Sequence, residues 1–230
     1  MNDAPYTLHY APDNASMVVR LALEEIGVPY ATRLVDRRAM GQRDPDYLAL
    51  NPAGKVPVLE TPHGAVFETA AILLWLADTH GALAPAPDAA ERGETLKWLF
   101  FLSNTLHPAL RMLFYPSAYA GSDKTDQHRM RAQVRRDILH HLTLIDAHWR
   151  QRETPSVLEL YTAPMLRWLQ LYPTASDTSW FDLTTFSALH RMALGLETRA
   201  SVAAAQTAEG LGPTPFTAPQ IPRPPEGSAL

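Results

Sequence analysis

Residues 51–59 read Asn-Pro-Ala-Gly-Lys-Val-Pro-Val-Leu, a turn cluster that leads into a short apolar strand. Proline is unusual in such a strand because it has no N–H to donate to a ladder, so Pro57 belongs at an edge or a bulge. His63-Gly64 then forms a tight turn into a second short strand. Apolar residues at helical spacing fill 70–77, and Gly81 ends that helix. This stretch therefore predicts a hairpin followed by a helix.

The residues before this stretch predict a strand, a helix and another strand. Tyr6–Tyr10 is short and aromatic, and apolar residues at helical spacing run from Val19 to Ile26. Residues 30–35 form a second strand pattern, whereas 36–50 give only a weak helical pattern. Residues 1–80 thus predict an α+β sandwich.

The rest of the chain is predicted to be helical. Residues 81–90 are small and Pro-rich, which is typical of a linker between domains, and 91–210 lack strand patterns. Residues 211–230 hold six of the chain's twenty prolines and predict an extended or disordered tail. The helices are expected near 92–117, 124–150, 157–171, 180–194 and 198–209, with a capping box at Ser156 and Glu159.

Composition excludes several classes of function. The formal net charge of −4 gives no broad positive field for nucleic acid, and no segment is apolar enough for a membrane span. We therefore expect a cytoplasmic protein with neither nucleic acid nor membrane as a partner. The chain has no cysteine, so any thiol chemistry must use a thiol supplied by a ligand, and we expect no metal.

The order and spacing of four motifs resemble the glutathione S-transferase family over residues 6–210, and bacterial beta-class members most of all. The motifs are the strand end 8–12 leading to the helix at 21–25, the segment 51–57, the pair Glu68-Thr69 and the capping box. The resemblance implies a thioredoxin-like N-terminal domain and an all-α helical-bundle C-terminal domain. It also implies a homodimer that uses glutathione as co-substrate.

The resemblance assigns glutathione-binding roles to residues of the first domain. Glu68 would hold the ammonium group of the γ-glutamyl end, and Thr69, at a helix N-terminus, would hold its carboxylate. Val56-Pro57 resembles a cis-proline corner, where the main chain of Val56 pairs with the cysteine of the ligand. Lys55 can neutralise the glycine carboxylate. Considered alone, Glu68-Thr69 also suits an ordinary helix cap, and Lys55 an ordinary surface lysine.

Three residues are candidates for stabilising the thiolate. The position of the beta-class cysteine is occupied by Ala15, and the adjacent Ser16 ranks first because its hydroxyl stands at a helix start, although a structural cap has the same pattern. Asn14 ranks second because its amide can donate a hydrogen bond, and Tyr10, at the position used by tyrosine-type classes, ranks third.

His107 matches a beta-class histidine that projects from the helical domain toward the thiol. The lysine and asparagine that accompany it in that class are Pro108 and Phe100 here. We therefore assign His107 to the glutathione site, with a buried structural histidine as the alternative.

The predicted function is transfer of glutathione to small hydrophobic electrophiles, or their reduction, through a stabilised thiolate. Two alternatives stay open at this point. The chain can be a glutathione-binding protein with little catalysis, as the missing beta-class residues suggest, or a glutathione-dependent lyase or isomerase with one narrow substrate. A thiol–disulfide oxidoreductase is disfavoured by the absence of cysteine.

Overall fold

The computed structural model describes residues 5–149 and 155–229. Its sheet has four strands in the order β2-β1-β3-β4. Strand β1 is parallel to β2 and antiparallel to β3, and β3 pairs with β4 in antiparallel fashion. The strands are β1 Tyr6–Tyr10, β2 Tyr30–Leu34, β3 Val58–Thr61 and β4 Gly64–Phe67.

Three helices accompany this sheet. They are α1 Ser16–Ile26, α2 Pro45–Leu50 and α3 Thr69–His80, and α1 packs against α3. Helix α1 ends at Gly27, which has a φ of 75° that glycine adopts at little cost. The weak helical pattern of 36–50 corresponds to a 3-10 turn, Gly41–Arg43, followed by α2, which begins at Pro45 after the capping side chain of Asp44.

All the regular secondary structure described after residue 80 is helical. A π-helical turn, Leu102–Leu106, joins the first two of its helices, so the helix predicted over 92–117 is nearly continuous but ends at Phe114. The predicted end of the next helix at residue 150 lies outside the described residues. The helices are α4 Arg92–Phe101, α5 His107–Phe114, α6 Ser117–Ala120, α7 Lys124–Trp149, α8 Val157–Leu171, α9 Ser187–Glu197 and α10 Ala200–Glu209.

The helix predicted over 180–194 was placed too early in the sequence. Helix α9 begins at Ser187, because the side chain of Asp182 accepts a hydrogen bond from Thr184 N and starts a 3-10 turn, Leu183–Thr185, instead. The apolar pattern around residues 180–186 reflects packing of Phe181 and Phe186, whose rings stack at 6.1 Å.

Helix α8 lies at the centre of the molecule. Thirteen of its fifteen residues are buried, and it contacts both α1 and α3 of the sheet domain as well as α4, α5 and α9. Its capping box is present as predicted, with Ser156 N donating to Glu159 at 2.7 Å. The helix continues through Pro164.

The predicted disorder of the tail is not seen. Residues 211–229 contain no helix or strand, in agreement with the extended alternative, but they pack onto the protein. Phe216 is fully buried, and Arg167 of α8 donates hydrogen bonds to the carbonyl oxygens of Leu211, Pro215 and Gln220. Composition alone missed this because the partner of the tail is a buried cation far away in sequence.

Candidate functional site

A cavity of about 520 Å³ lies between the N-terminal domain and the helical domain, a size typical of small-molecule sites. The loop after β1, the turn before β3 and the start of α3 form one wall, and α5 with parts of α8 forms the other. Seven of the nine predicted site residues line this cavity, namely Asn14, Lys55, Val56, Pro57, Glu68, Thr69 and His107.

The turn that precedes β3 presents unpaired main-chain groups to the cavity. The Val56–Pro57 peptide bond is cis. Neither the N–H nor the C=O of Val56 makes a hydrogen bond to any residue in 5–149 or 155–229. A main-chain donor and acceptor without a partner inside the protein are free to pair with a ligand. The position suits an extended peptide that adds to the edge of the sheet.

Two side chains hold the main chain of this turn in place. The carbonyl oxygen of Lys55 accepts a hydrogen bond from Asn51 Nδ2 at 2.8 Å and from the Tyr47 hydroxyl at 2.7 Å. Gly54 has a φ of 59°, and a Cβ built there would lie 2.8 Å from the carbonyl oxygen of Gln42. These contacts support the turn that holds Val56 at the cavity wall.

Helix α3 begins at the cavity without a capping side chain. No side chain of the described residues accepts a hydrogen bond from its first N–H groups, so the structure does not show an ordinary helix cap here. Glu68 has a φ of 70°, uncommon for a residue with a side chain. Its exposed carboxylate forms no ion pair with the described part of the chain. An open helix N-terminus beside a free carboxylate suits a zwitterionic ligand end.

The first-ranked thiol activator, Ser16, does not reach the cavity. Its hydroxyl is fully buried, donates to Ala11 O at 3.0 Å and accepts from Ala11 N at 3.2 Å. It therefore holds the loop between β1 and α1 in place. This role is structural, and the sequence pattern of a serine at a helix start does not distinguish it from a functional role.

Tyr10, the third candidate, is also buried away from the cavity. Its hydroxyl donates to the carboxylate of Glu226 in the tail, and Arg20 lies over its ring at 4.8 Å. Burial raises the pKa of Tyr10, and the negative charge of Glu226 acts in the same direction. The phenol is therefore protonated at neutral pH and already has an acceptor.

Asn14 is the one of the three candidates that lines the cavity. Its Oδ1 accepts a hydrogen bond from Ala15 N at 2.9 Å, which fixes the amide group at the N-terminal end of α1. The Nδ2 group has no hydrogen-bond partner in the described residues and remains available as a donor. The partial positive charge of the helix end favours an anion at the same place.

His107 faces the cavity from the opposite wall. Its Nδ1 lies 2.9 Å from the hydroxyl of Tyr161. Burial is the main cause that lowers the pKa of His107 to about 4, and the positive charges of Arg111 and Lys55 contribute to this shift. The imidazole is therefore neutral at physiological pH. Tyr161 is near enough to Glu68 and Thr69 that both affect its pKa, so this pair spans the two domains.

A buried ion pair supports the loop that carries Asn14. The carboxylate of Asp13 accepts hydrogen bonds from Arg167 Nε at 2.9 Å, Trp168 Nε1 at 2.9 Å and the Tyr172 hydroxyl at 2.6 Å. Asp13 itself has a φ of 50°. Both ionic side chains are fully buried. The sequence analysis did not identify this network, because no local pattern links residues 13 and 167.

Two further residues were missed for different reasons. Asn51 stands in the Asn-Pro-x-Gly segment that the sequence analysis quoted, so its role in holding Lys55 could have been inferred there. Tyr161 lies on a buried helix in an apolar run, and nothing in its neighbourhood in sequence distinguishes it from a core tyrosine.

A metal site and a membrane-spanning helix each have requirements that the described residues would have to meet. Within 5–149 and 155–229 no group of three or more His, Cys, Asp or Glu side chains is placed to hold a metal ion. None of the helices in this part of the chain is long and apolar enough to cross a membrane.

Comparison with known proteins agrees with this architecture. Residues 15–79 match the family model of the glutathione S-transferase N-terminal domain. Glutathione S-transferase GST-4.5 of Xanthomonas campestris pv. campestris is 32% identical over 211 residues, which cover 89% of this chain and 98% of that protein.

Two solved structures extend the likeness. A sphingomonad glutathione S-transferase complexed with glutathione superposes with a TM-score of 0.74 at 31% identity, covering 90% of this chain and 100% of that chain. A Sulfitobacter glutathione transferase homologue with bound glutathione gives a TM-score of 0.77 at 26% identity, covering 88% and 97% of the two chains. The predicted thioredoxin-like and helical architecture is thereby confirmed, and the chain belongs to the glutathione S-transferase family.

Proposed function

We propose that the chain binds glutathione in the cavity between its domains and transfers it to a small electrophile. The observation that carries this proposal is the convergence of three unsatisfied groups on one cavity: the main chain of Val56, the open N-terminus of α3 and the carboxylate of Glu68. They match the cysteine main chain, the γ-glutamyl carboxylate and the ammonium group of glutathione. The two relatives described above that were solved with glutathione support the assignment.

Each part of the tripeptide then has a partner in this chain. Glu68 pairs with the ammonium group, and the N–H groups at the start of α3, with the hydroxyl of Thr69, hold the adjacent carboxylate. Val56 pairs with the cysteine residue, and Lys55 neutralises the glycine carboxylate. This arrangement directs the sulfur toward Asn14 and the start of α1.

Asn14 is the residue we assign to the thiolate. A thiol with its usual pKa near 8.5 must be stabilised by roughly 2.7 kcal/mol to lower that pKa by about two units. The Nδ2 group can donate a hydrogen bond to the sulfur, and the end of α1 adds a favourable dipole. Neither acts as a base, so the thiol proton leaves to solvent. His107 is too weak a base to take that proton, because its pKa is lowered to about 4.

The chemical step is attack of the thiolate on an electrophilic carbon. A sulfur–carbon bond forms, and the leaving group departs with its bonding electrons, or the electron pair of a conjugated double bond moves to the next carbon and is protonated by water. The homodimer and the cytoplasmic location stay predictions.

Calorimetric titration with reduced glutathione tests this assignment. Glu68→Gln should weaken binding about tenfold, since one charge-assisted hydrogen bond is lost, and Thr69→Val should weaken it less. Glu91→Gln is a matched control, because Glu91 is an exposed residue at the start of α4 and does not line the cavity. Wild-type binding by both Glu68→Gln and Thr69→Val would show that the site is misassigned.

The same complexes report on the thiolate. Ultraviolet titration of bound glutathione should show a higher thiol pKa in Asn14→Ala than in wild type. Ser16→Ala should leave that pKa in place, because its hydroxyl is bonded to Ala11. A higher thiol pKa in Ser16→Ala, together with an unchanged one in Asn14→Ala, would instead assign the thiolate to Ser16.

A further inference from the structure

Two guanidinium groups, one from each domain, lie around one tyrosine at the cavity. The Cζ atom of Arg111, on α5, lies 5.5 Å from the ring centre of Tyr115. Arg37, in the loop after β2, donates from Nη2 to the hydroxyl of the same Tyr115 at 3.2 Å. Two positive charges from different domains thus meet at the cavity.

Within the described part of the chain, neither guanidinium has an acidic partner. Among the ion pairs of residues 5–149 and 155–229, none includes Arg37 or Arg111. Both side chains are half-buried, so water solvates them incompletely. Arg37 also donates to Ala229 O at 3.2 Å. A partly desolvated cation without a counter-charge favours an anionic ligand.

Arg111 is held so that its terminal fork stays free. Its Nε donates to the Tyr119 hydroxyl at 3.2 Å, whereas its two Nη atoms have no hydrogen-bond partner in the described chain. Planar paired N–H groups match the two oxygens of a carboxylate. Arg111 and His107 both line the cavity, so the charge of Arg111 faces the same space as the imidazole.

Glutathione does not require these charges. In the arrangement proposed above, Glu68 and the start of α3 take its zwitterionic end and Lys55 takes its glycine carboxylate, all on the first-domain wall. Arg111 stands on the facing wall beside the aromatic side chains of Phe114, Tyr115, Tyr119 and Tyr172. That surface suits a flat aromatic body that carries an acidic group.

We propose that the electrophile is an aromatic compound with a carboxylate, and that Arg111, assisted by Arg37, binds this carboxylate while the thiolate attacks the ring. This inference rests on the proposed function and adds the class of the second substrate. For a chloroarene, the sulfur–carbon bond forms, the carbon–chlorine bond breaks and chloride leaves with the bonding pair. The thiol proton passes to water.

A matched pair of electrophiles tests the proposal. A chlorodinitrobenzoate and the corresponding chlorodinitrobenzamide have nearly the same shape and differ in charge. For the wild-type protein, kcat/KM should be higher for the benzoate, and added salt should reduce this preference. In Arg111→Gln, the loss in kcat/KM for the benzoate should exceed the loss for the benzamide by about tenfold, as expected for one charge-assisted pair.

Two further variants separate charge from geometry. Arg111→Lys keeps the charge without the planar fork, so it should restore only part of the preference. Arg129→Gln makes the same change in net charge on α7, where the side chain is 78% exposed and does not line the cavity, and it should behave as wild type with both compounds.

The outcomes distinguish this inference from the function on which it rests. Equal loss for both compounds in Arg111→Gln, or a wild-type protein that binds glutathione but shows no preference for the anion, overturns the carboxylate assignment. Weaker glutathione binding by Arg111→Gln overturns it as well, since the guanidinium would then belong to the glutathione site. Failure of the wild-type protein to bind glutathione would instead remove the proposed function itself.

Discussion

At the scale of single residues, side chains that look alike in sequence differ in whether they line the cavity. Ser16 and Asn14 both lie at the start of a helix, and both carry a group that can donate a hydrogen bond. The sequence cannot show that the main chain of Ala11 returns close enough to occupy the hydroxyl of Ser16, because that contact depends on how the β1–α1 loop folds. Motifs with a fixed local geometry, such as Val56-Pro57, could be placed at the cavity wall from sequence.

His107 makes the folded protein sensitive to acid. Its pKa is lowered from about 6.5 to about 4, chiefly by burial. Between these values the unfolded chain binds a proton that the folded protein does not, so folding stability falls as the pH falls through this window. At pH values well above 6.5 both states are neutral at this group, and it contributes no pH dependence.

Replacing His107 should therefore reduce acid sensitivity. For His107→Gln, the difference in free energy of unfolding between about pH 7 and about pH 4.5 should be smaller than in wild type by about 2 kcal/mol. Urea unfolding at the two pH values measures this difference, and His128→Gln, at an exposed position on α7, controls for the loss of a histidine. An identical pH dependence in wild type and His107→Gln would contradict the assigned burial.

At the scale of elements, the segment that decides the fold also builds the site. The turn before β3 needs glycine at position 54, because its φ of 59° and the nearby Gln42 carbonyl leave no room for a side chain. The same turn places Lys55 and Val56 at the cavity. Element types were predictable here because turn residues and apolar spacing act locally. The start of α9 was not, because it depends on a cap by Asp182 in an apolar run.

Gly54→Ala tests the coupling between this turn and the site. An alanine in the left-handed region costs about 1–2 kcal/mol, and its Cβ would also displace the Gln42 carbonyl, which lies 2.8 Å away. We expect lower stability in urea unfolding together with weaker glutathione binding. Gly93→Ala is the control, since no atom lies within 4 Å of a Cβ built at Gly93, and it should lose neither. Wild-type binding by Gly54→Ala would show that the turn is not part of the site.

At the scale of the whole molecule, one cation connects the two domains and the tail. Arg167 pairs with Asp13 beside the cavity and donates to three carbonyl oxygens between residues 211 and 220. Glu209, also buried, pairs with Arg20 at 2.8 Å and accepts from Asp13 N. Such long-range pairing leaves no trace in local sequence, which is why both the network and the packing of the tail escaped prediction.

Removing this cation should be severe. Arg167→Met leaves the Asp13 carboxylate buried without a counter-charge, which typically costs about 3–5 kcal/mol of folding stability. Urea unfolding measures the loss, and Arg129→Met, at an exposed position, is the control. Adding Asp13→Asn to Arg167→Met should recover part of the stability, because the uncompensated charge is then gone. A loss below about 1 kcal/mol in Arg167→Met would show that the pair is not a main support of the fold.

The path of the tail also decides where a label can be attached. Ala229 lines the cavity and its carbonyl oxygen is bonded to Arg37, while Glu226 covers the hydroxyl of Tyr10. A fluorescent label attached at position 229 would therefore lie at the wall of the cavity. Such a label would crowd the space for ligands, so a label is better attached at an exposed position away from the cavity, such as Arg129 on α7.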